Sequence, residues 1–298
     1  MKLRPLFLCL LACLPLARGN PNQREWKLAN GETRQAEMTD YDEDRKVVTL
    51  RFKDDTVIHL DQDALSALDR AWLLEWIEAG EELEAKLTQF GGSLTRHTAT
   101  GKFTTGYSVY QPPLAENAPD STRPMLILFH PNGIGHREIY RYVEAAKATG
   151  MTLVSCEIFR NTGDNPEREA ELLERFTEML PQIEAAVPHD PKRMFMGGCS
   201  GGSWRAFHYS AQISRPWAGI YSNCGWLGGD KYYDLPYPKM RVAMVNGIND
   251  PAGMWLEPDT ARLQKADCKV SVHAFEGGHQ VPPPSVQEKA FRWLLSDE

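Results

Sequence analysis

Past its first nineteen residues, the 298-residue chain has no apolar run approaching the ~20 residues that a membrane-spanning helix requires. It also lacks a C-x-x-C pair and any His/Cys cluster at ligand spacing, so no structural metal is expected. Internal repeats and low-complexity tracts are absent. Basic residues are outnumbered, with 33 Lys and Arg against 40 Asp and Glu and a net charge of −7. That balance argues against nucleic acid or an anionic membrane as a partner. Cysteine is sparse: Cys9 and Cys13 lie at the very start, leaving Cys156, Cys199, Cys224 and Cys268.

What the chain does contain begins with a leader. Lys2 and Arg4 precede an apolar run from Leu6 to Leu16, and Ala17-Arg18-Gly19 is a small-x-small cleavage site. Residues 1–19 therefore read as a secretory signal peptide. Leu10-Leu11-Ala12-Cys13 also resembles a bacterial lipobox, which makes a lipoprotein anchored at Cys13 the alternative. Cleavage at Gly19 would remove three cations and no acid, taking the net charge from −7 to −10. The expected location is secreted or periplasmic, and an oxidising compartment permits disulfides. At 42% apolar and 24% charged residues the remainder has ordinary globular composition.

Composition divides the chain near residue 90. Before it, short alternating segments such as Val47–Phe52 and Thr56–Leu60 are separated by charged turns, a β-meander pattern. A helical run follows from Asp63 to about Phe90, with a break expected at Ala79-Gly80. Arg24-x-Trp26, Asn30-Gly31, Ala36, the Val47/Leu50 and Val57/Leu60 pairs, and Leu65-Ser66 followed by Asp69 resemble the Sla-type homology domain one over residues 24–78. The resemblance implies a small SH3-like barrel that could attach the protein to a partner or polymer. Trp26, Trp72 and Trp76 read as core packing rather than as a ligand groove. The expected organisation is a signal peptide at 1–19, a small β-barrel at 20–78, a helical linker at 79–93 and a catalytic domain at 94–298.

From Lys102 onward, continuous apolar runs alternate with amphipathic stretches. Strands are expected at Tyr107–Tyr110, Met125–Phe129, Thr152–Cys156, Arg193–Met196, Ala218–Ser222, Arg241–Val245 and Lys269–Phe275. Helices are expected at Glu138–Thr149, Asn165–Ala186, Ser203–Ile213, Asp259–Ala266 and Ser285–Leu295. Apolar strands separated by helices imply an α/β fold with a mostly parallel sheet covered on both faces.

Gly198-Cys199-Ser200-Gly201-Gly202 fits the G-x-S-x-G nucleophile elbow, with a strand candidate before it and a helix candidate after it. A serine hydroxyl is a weak nucleophile until a base takes its proton, and that base needs an acid to orient it. Asp250 follows the strand Arg241–Val245, and His279 follows the strand Lys269–Phe275. This is the order Ser, Asp, His, each after a strand. The oxyanion donors expected are the N–H groups of Gly201, after the nucleophile, and of Asn132, in the loop after Met125–Phe129. That loop, His130-Pro131-Asn132-Gly133, resembles the His-Gly-x loop of secreted esterases with proline in place of glycine. Proline has no N–H, which moves the donor to Asn132.

With Gly247-Ile248-Asn249-Asp250 and Gly277-Gly278-His279, these segments make residues 94–298 similar to α/β-hydrolases of the secreted branch. That branch contains polyhydroxybutyrate depolymerases and feruloyl or acetyl esterases. The resemblance implies ester hydrolysis through an acyl-serine, with no metal and no organic cofactor. Trp204, Trp226, Tyr232, Tyr233, Tyr237 and Trp255 should lie near the site and suit a sugar- or aromatic-linked ester, soluble or polymeric; the same residues could form a packed lid. Alternatives remain: a serine peptidase of prolyl-oligopeptidase type, or a non-catalytic binding protein on the same fold. Asp250 could be a turn initiator with Asp259 as its substitute, and His273 competes with His279. Gly197-Gly198-Cys199-Ser200-Gly201 also fits the G-x-C-x-G elbow of thiol hydrolases, though Cys199 reads better as a structural neighbour. In this fold Cys199 and Cys224 end adjacent strands, so a disulfide between them is expected.

Overall fold

The computed structural model describes residues 23–27, 31–52, 54, 56–113, 123–131, 138–159, 161–162 and 165–296. The leader, Asn30 and Asn132 fall outside them. Among the described residues no helix is long and apolar enough to cross a membrane.

Four strands open the fold: β1 (Gln23–Lys27), β2 (Thr33–Asp42), β3 (Val47–Phe52) and β4 (Val57–Asp61). They pair antiparallel in chain order. Alternation sends Val48, Leu50 and Phe52 inward with Met38 of β2, around a fully buried Trp26. The indole Nε1 of Trp26 donates to the Ala36 carbonyl at 3.1 Å, which satisfies its one polar atom. Trp26 is therefore core; the side chains of Trp72 and Trp76 lie outside the described residues.

Helix α1 (Ala67–Phe90) is capped by Ser66, whose hydroxyl accepts from the Asp69 N–H. It runs unbroken through Ala79-Gly80, where the sequence led us to expect an interruption. A glycine in a helix costs only about 1 kcal/mol relative to alanine, and burial along the helix offsets that. Leu73 packs with the first sheet, and Leu83 enters a core of the second.

The second sheet has eight strands: β5 (Ser93–Thr100), β6 (Thr104–Gln111), β7 (Met125–Phe129), β8 (Thr152–Cys156), β9 (Met194–Cys199), β10 (Gly219–Asn223), β11 (Arg241–Gly247) and β12 (Lys269–Phe275). Their spatial order is β12-β11-β10-β9-β7-β8-β6-β5. The pairings from β12 to β8 are parallel, and β6 and β5 close the edge antiparallel. Strand β5 was not anticipated. It is an edge strand of mostly exposed polar residues and so lacks an apolar signature.

Helices α2 (Val143–Thr149) and α6 (Pro284–Leu295) join the second half of α1 on one face, around Leu126, Leu128, Phe195 and Phe291. Helices α3 (Pro166–Ala186), α4 (Gly201–Gln212) and α5 (Leu256–Lys265) cover the other, around Met125, Ile127, Phe129 and Met196. The chain runs from β7 outward to β8, then returns through α3 to β9 on the other side of β7. That reversal opens a crevice at the carboxyl ends of β7 and β9, where ligands bind in open α/β sheets.

Two stability predictions follow from the packing. Leu83→Ala should lower unfolding free energy in a urea titration by about 2–4 kcal/mol if α1 is integral to the second core; a change near zero contradicts it. The second concerns His208 on α4, buried with its ring 3.9 Å from that of Trp204 and 4.1 Å from that of Tyr232. Burial pulls its pKa from 6.5 down to about 4. Between those values the unfolded chain takes up a proton that the folded chain refuses, so stability falls as pH drops through that window. His208→Gln should lose less stability than the parent between pH 7 and pH 4.5, and equal losses would contradict this.

Candidate active site

Three loops at the carboxyl edge of the sheet converge on one point. The first is the turn between β9 and α4. Ser200 sits there at φ 54° and ψ −119°, a conformation that non-glycine residues rarely adopt. Its N–H donates to the Asn223 carbonyl at 2.8 Å, and its carbonyl accepts from Ser203 and Trp204 as α4 begins. The turn is possible because Gly198 and Gly202 flank it: a Cβ at either would run into the Phe129 carbonyl oxygen. Ser203, the next small residue, is buried and donates its hydroxyl to the Gly198 carbonyl at 2.6 Å. As the first residue of α4, Gly201 presents an N–H that no carbonyl of its own helix can take, at the positive end of the helix dipole.

The second loop follows β11. Asp250 caps the short turn Pro251–Trp255, its Oδ1 accepting the Ala252 N–H at 2.9 Å. It is thus a turn initiator, and it has a second partner. The same oxygen accepts from His279 Nδ1 at 2.8 Å, while Asn246 Nδ2 approaches Oδ2 at 3.3 Å. Burial raises the Asp250 pKa, but hydrogen bonds from Cys224, His279 and the Ala252 N–H outweigh it and hold the carboxyl below its usual range.

The third loop, after β12, brings in His279. Its Nε2 lies 2.8 Å from Ser200 Oγ. The second and third loops are tied together by backbone bonds from Asn249 N–H to the Gly277 carbonyl at 2.9 Å and from Ile248 N–H to the Phe275 carbonyl at 2.9 Å. An unbroken chain of hydrogen bonds therefore links Ser200, His279 and Asp250.

The competing residues stand elsewhere. Asp259 accepts from the Leu227 N–H at 2.8 Å and the Tyr233 hydroxyl at 2.7 Å, bracing the segment after β10. His273 lies within β12, opposite Val245. Cys199 is buried beneath the elbow, where burial first, and then the neighbouring Cys224, push its thiol pKa far up. His279 meets Ser200, not that thiol. Asn132 lies outside the described residues. His130, two residues before it, is half-buried, with Nε2 3.5 Å from the Glu138 carboxylate that also pairs with Arg141 at 2.9 Å.

The expected Cys199–Cys224 disulfide does not form: Cys156, Cys199, Cys224 and Cys268 are all free thiols. The strand register explains it. Cys199 pairs with Asn223, not Cys224, and Cys224 turns its sulfur toward the Gln280 carbonyl at 3.2 Å. Among the described residues, Cys224, Asp250 and His279 are the one group of such side chains close enough to share a metal ion, with donor atoms within 4.8 Å of one another. All three are already engaged in hydrogen bonds within the site.

A cavity of about 880 Å³ opens beside Gly201. Trp204, Trp226 and Tyr232 line it, with Asn161, Asn165 and Lys231 supplying polar groups. Tyr233 and Tyr237 are instead bracing residues, with their hydroxyls on Asp259 and the Tyr232 carbonyl. Sequence reasoning missed Arg205, fully buried in α4. It donates to the Phe159 carbonyl at 2.8 Å and to Glu169 at 2.7 Å, fastening the cavity wall to the elbow helix. No local pattern singles it out, since the buried side of α4 also carries Ser203, His208 and Ser210.

No family model and no curated protein matches this chain by sequence. Solved structures do match. The esterase LipW from Mycobacterium marinum aligns with TM-score 0.57 and 15% identity, over 73% of this chain and 85% of that one. A hyperthermophilic esterase from the archaeon Pyrobaculum calidifontis gives 0.54 and 10%, over 74% and 90%. FphF, a fluorophosphonate-binding serine hydrolase of Staphylococcus aureus, gives 0.52 and 10%, over 69% and 99%. At such identities the likeness is one of architecture: the chain has the α/β-hydrolase fold.

Proposed function

We propose that this protein hydrolyses carboxylic esters through an acyl-serine intermediate. The observation that carries this reading is the chain Ser200 Oγ–His279 Nε2 and His279 Nδ1–Asp250 Oδ1, each at 2.8 Å, built on a left-handed serine at a strand-to-helix turn. Ser200 Oγ attacks the ester carbonyl as His279 Nε2 takes its proton. Asp250 holds the imidazole with Nδ1–H toward the carboxylate and stabilises the imidazolium that forms. The Gly201 N–H, with Asn132 as the second donor in our reading, receives the developing oxyanion. Collapse of the tetrahedral intermediate expels the alcohol, which takes the proton from His279. Water then repeats the sequence on the acyl-serine and releases the acid.

The cavity beside Gly201 suits one bulky arm of the ester, stacked on Trp204, Trp226 or Tyr232. Residues 1–19, read as a signal peptide, would send this activity outside the cytoplasm. The N-terminal sheet, as an SH3-like barrel, would be an accessory module for a partner or a polymeric substrate.

Ser200→Ala should lower kcat toward p-nitrophenyl acetate by ~10⁴–10⁶-fold, whereas Cys199→Ser should leave it within a few-fold of the parent. The reverse pattern would assign the reaction to the thiol. Trp226→Ala should raise KM for methyl ferulate or another ring-bearing ester by roughly tenfold, worth about 1.4 kcal/mol of binding, and barely affect p-nitrophenyl acetate. Equal effects on both esters would remove the cavity from substrate binding.

A further inference from the structure

Cys224 comes directly after β10, is fully buried, and has φ 48°, one of five positive-φ non-glycine residues among those described. A side chain in that conformation is held there by its surroundings. Its Sγ lies 3.2 Å from the Gln280 carbonyl and 3.8 Å from that of Gly278, the two residues flanking His279. The Asp250 carboxylate is near enough to act on its protonation. Sγ, a carboxylate oxygen of Asp250 and a ring nitrogen of His279 all fall within 4.8 Å of one another. One sulfur thus lies against the loop that carries His279 and close to the carboxylate of Asp250.

The thiol has one proton for three acceptors. Burial and the adjacent carboxylate push its pKa up to about 12, which keeps the proton on sulfur at neutral pH. Only one of the acceptors bears a formal charge. A proton turned to Gln280 would leave sulfur lone pairs facing a buried anion, whereas a proton turned to Asp250 makes a charge-assisted hydrogen bond.

We propose that Cys224 is a positioning residue for the reaction assigned above, its S–H donating to Asp250. This rests on the serine-hydrolase reading of the site. With the Ala252 N–H and the Asn246 amide, the thiol fixes the plane of the carboxylate and tempers its basicity. His279 is thereby kept with Nδ1–H toward Asp250 and Nε2 free for Ser200. The titratable groups facing this centre are Asp250, His279, Cys199 and Tyr221. Burial keeps Cys199 and Tyr221 protonated, so removing the thiol acts on the Asp250–His279 pair.

The test compares Cys224→Ala and Cys224→Ser with the parent on p-nitrophenyl acetate across pH, alongside Ser200→Ala. Alanine removes the donor and leaves Asp250 a stronger base, which holds the proton on His279 more tightly. Its kcat should fall about tenfold at constant KM, and the acid limb of kcat/KM should move up by about half a pH unit. Serine restores a donor and should restore both. An alanine variant with an unmoved limb, even if less stable, overturns the proposal, as does a folded serine variant as impaired as alanine. Turnover by Ser200→Ala would instead overturn the catalytic reading on which this one rests.

Discussion

The site depends on one backbone conformation: Ser200, with a full side chain, held in the left-handed region between β9 and α4. Such a residue costs on the order of 1–3 kcal/mol and persists only where the surroundings leave no alternative. Here its N–H is tied to the carbonyl of Asn223 on the neighbouring strand. The Phe129 carbonyl presses against the turn from the other side, so closely that positions 198 and 202 admit only glycine. The strain is offset by burial of β7, β9 and α4 in the same core, and its effect is geometric. It lifts a hydroxyl clear of the sheet edge, beside the first free N–H of a helix.

The parallel sheet does the rest. Because β9, β11 and β12 run in the same direction, their following loops open on the same side, and residues 79 positions apart meet at 2.8 Å. Asp250 is the anchor of that meeting. Its carboxylate is buried, yet stays ionised because it accepts several hydrogen bonds. A charge held so firmly in a low-dielectric setting orients an imidazole far better than an exposed one could. The bonds from Asn249 to Gly277 and from Ile248 to Phe275 keep the loops of Asp250 and His279 in register as one unit.

Much of this was legible in the chain because of what parallel sheets demand. Met125–Phe129 and Thr152–Cys156 are buried along their whole length, so they read as continuous apolar runs. Ser200 directly follows the buried run Met194–Cys199, while Asp250 and His279 fall a few residues after β11 and the partly exposed β12; their order and shared position after strands suggested that they meet. The edge strand Ser93–Thr100 gave no such signal, since water covers most of it. The continuity of α1 across Gly80 was also hidden, because tertiary burial overrides a local penalty. The contact of Cys224 with Asp250 joins segments 26 residues apart, and that of Arg205 with Glu169 joins segments 36 apart. Neither leaves a local pattern. The same pairing register that brings Cys224 close to Cys199 turns its sulfur to other partners, which no count of cysteines could reveal.

The central claim is that strained Ser200, not its cysteine neighbour, is the activated nucleophile. The most direct measurement is peptide mapping by mass spectrometry after treatment with a fluorophosphonate, which bonds covalently to an activated serine. The account predicts one adduct per chain, located on Ser200 and absent when His279 is replaced by alanine. An adduct confined to another residue, or none on a folded protein, would contradict it.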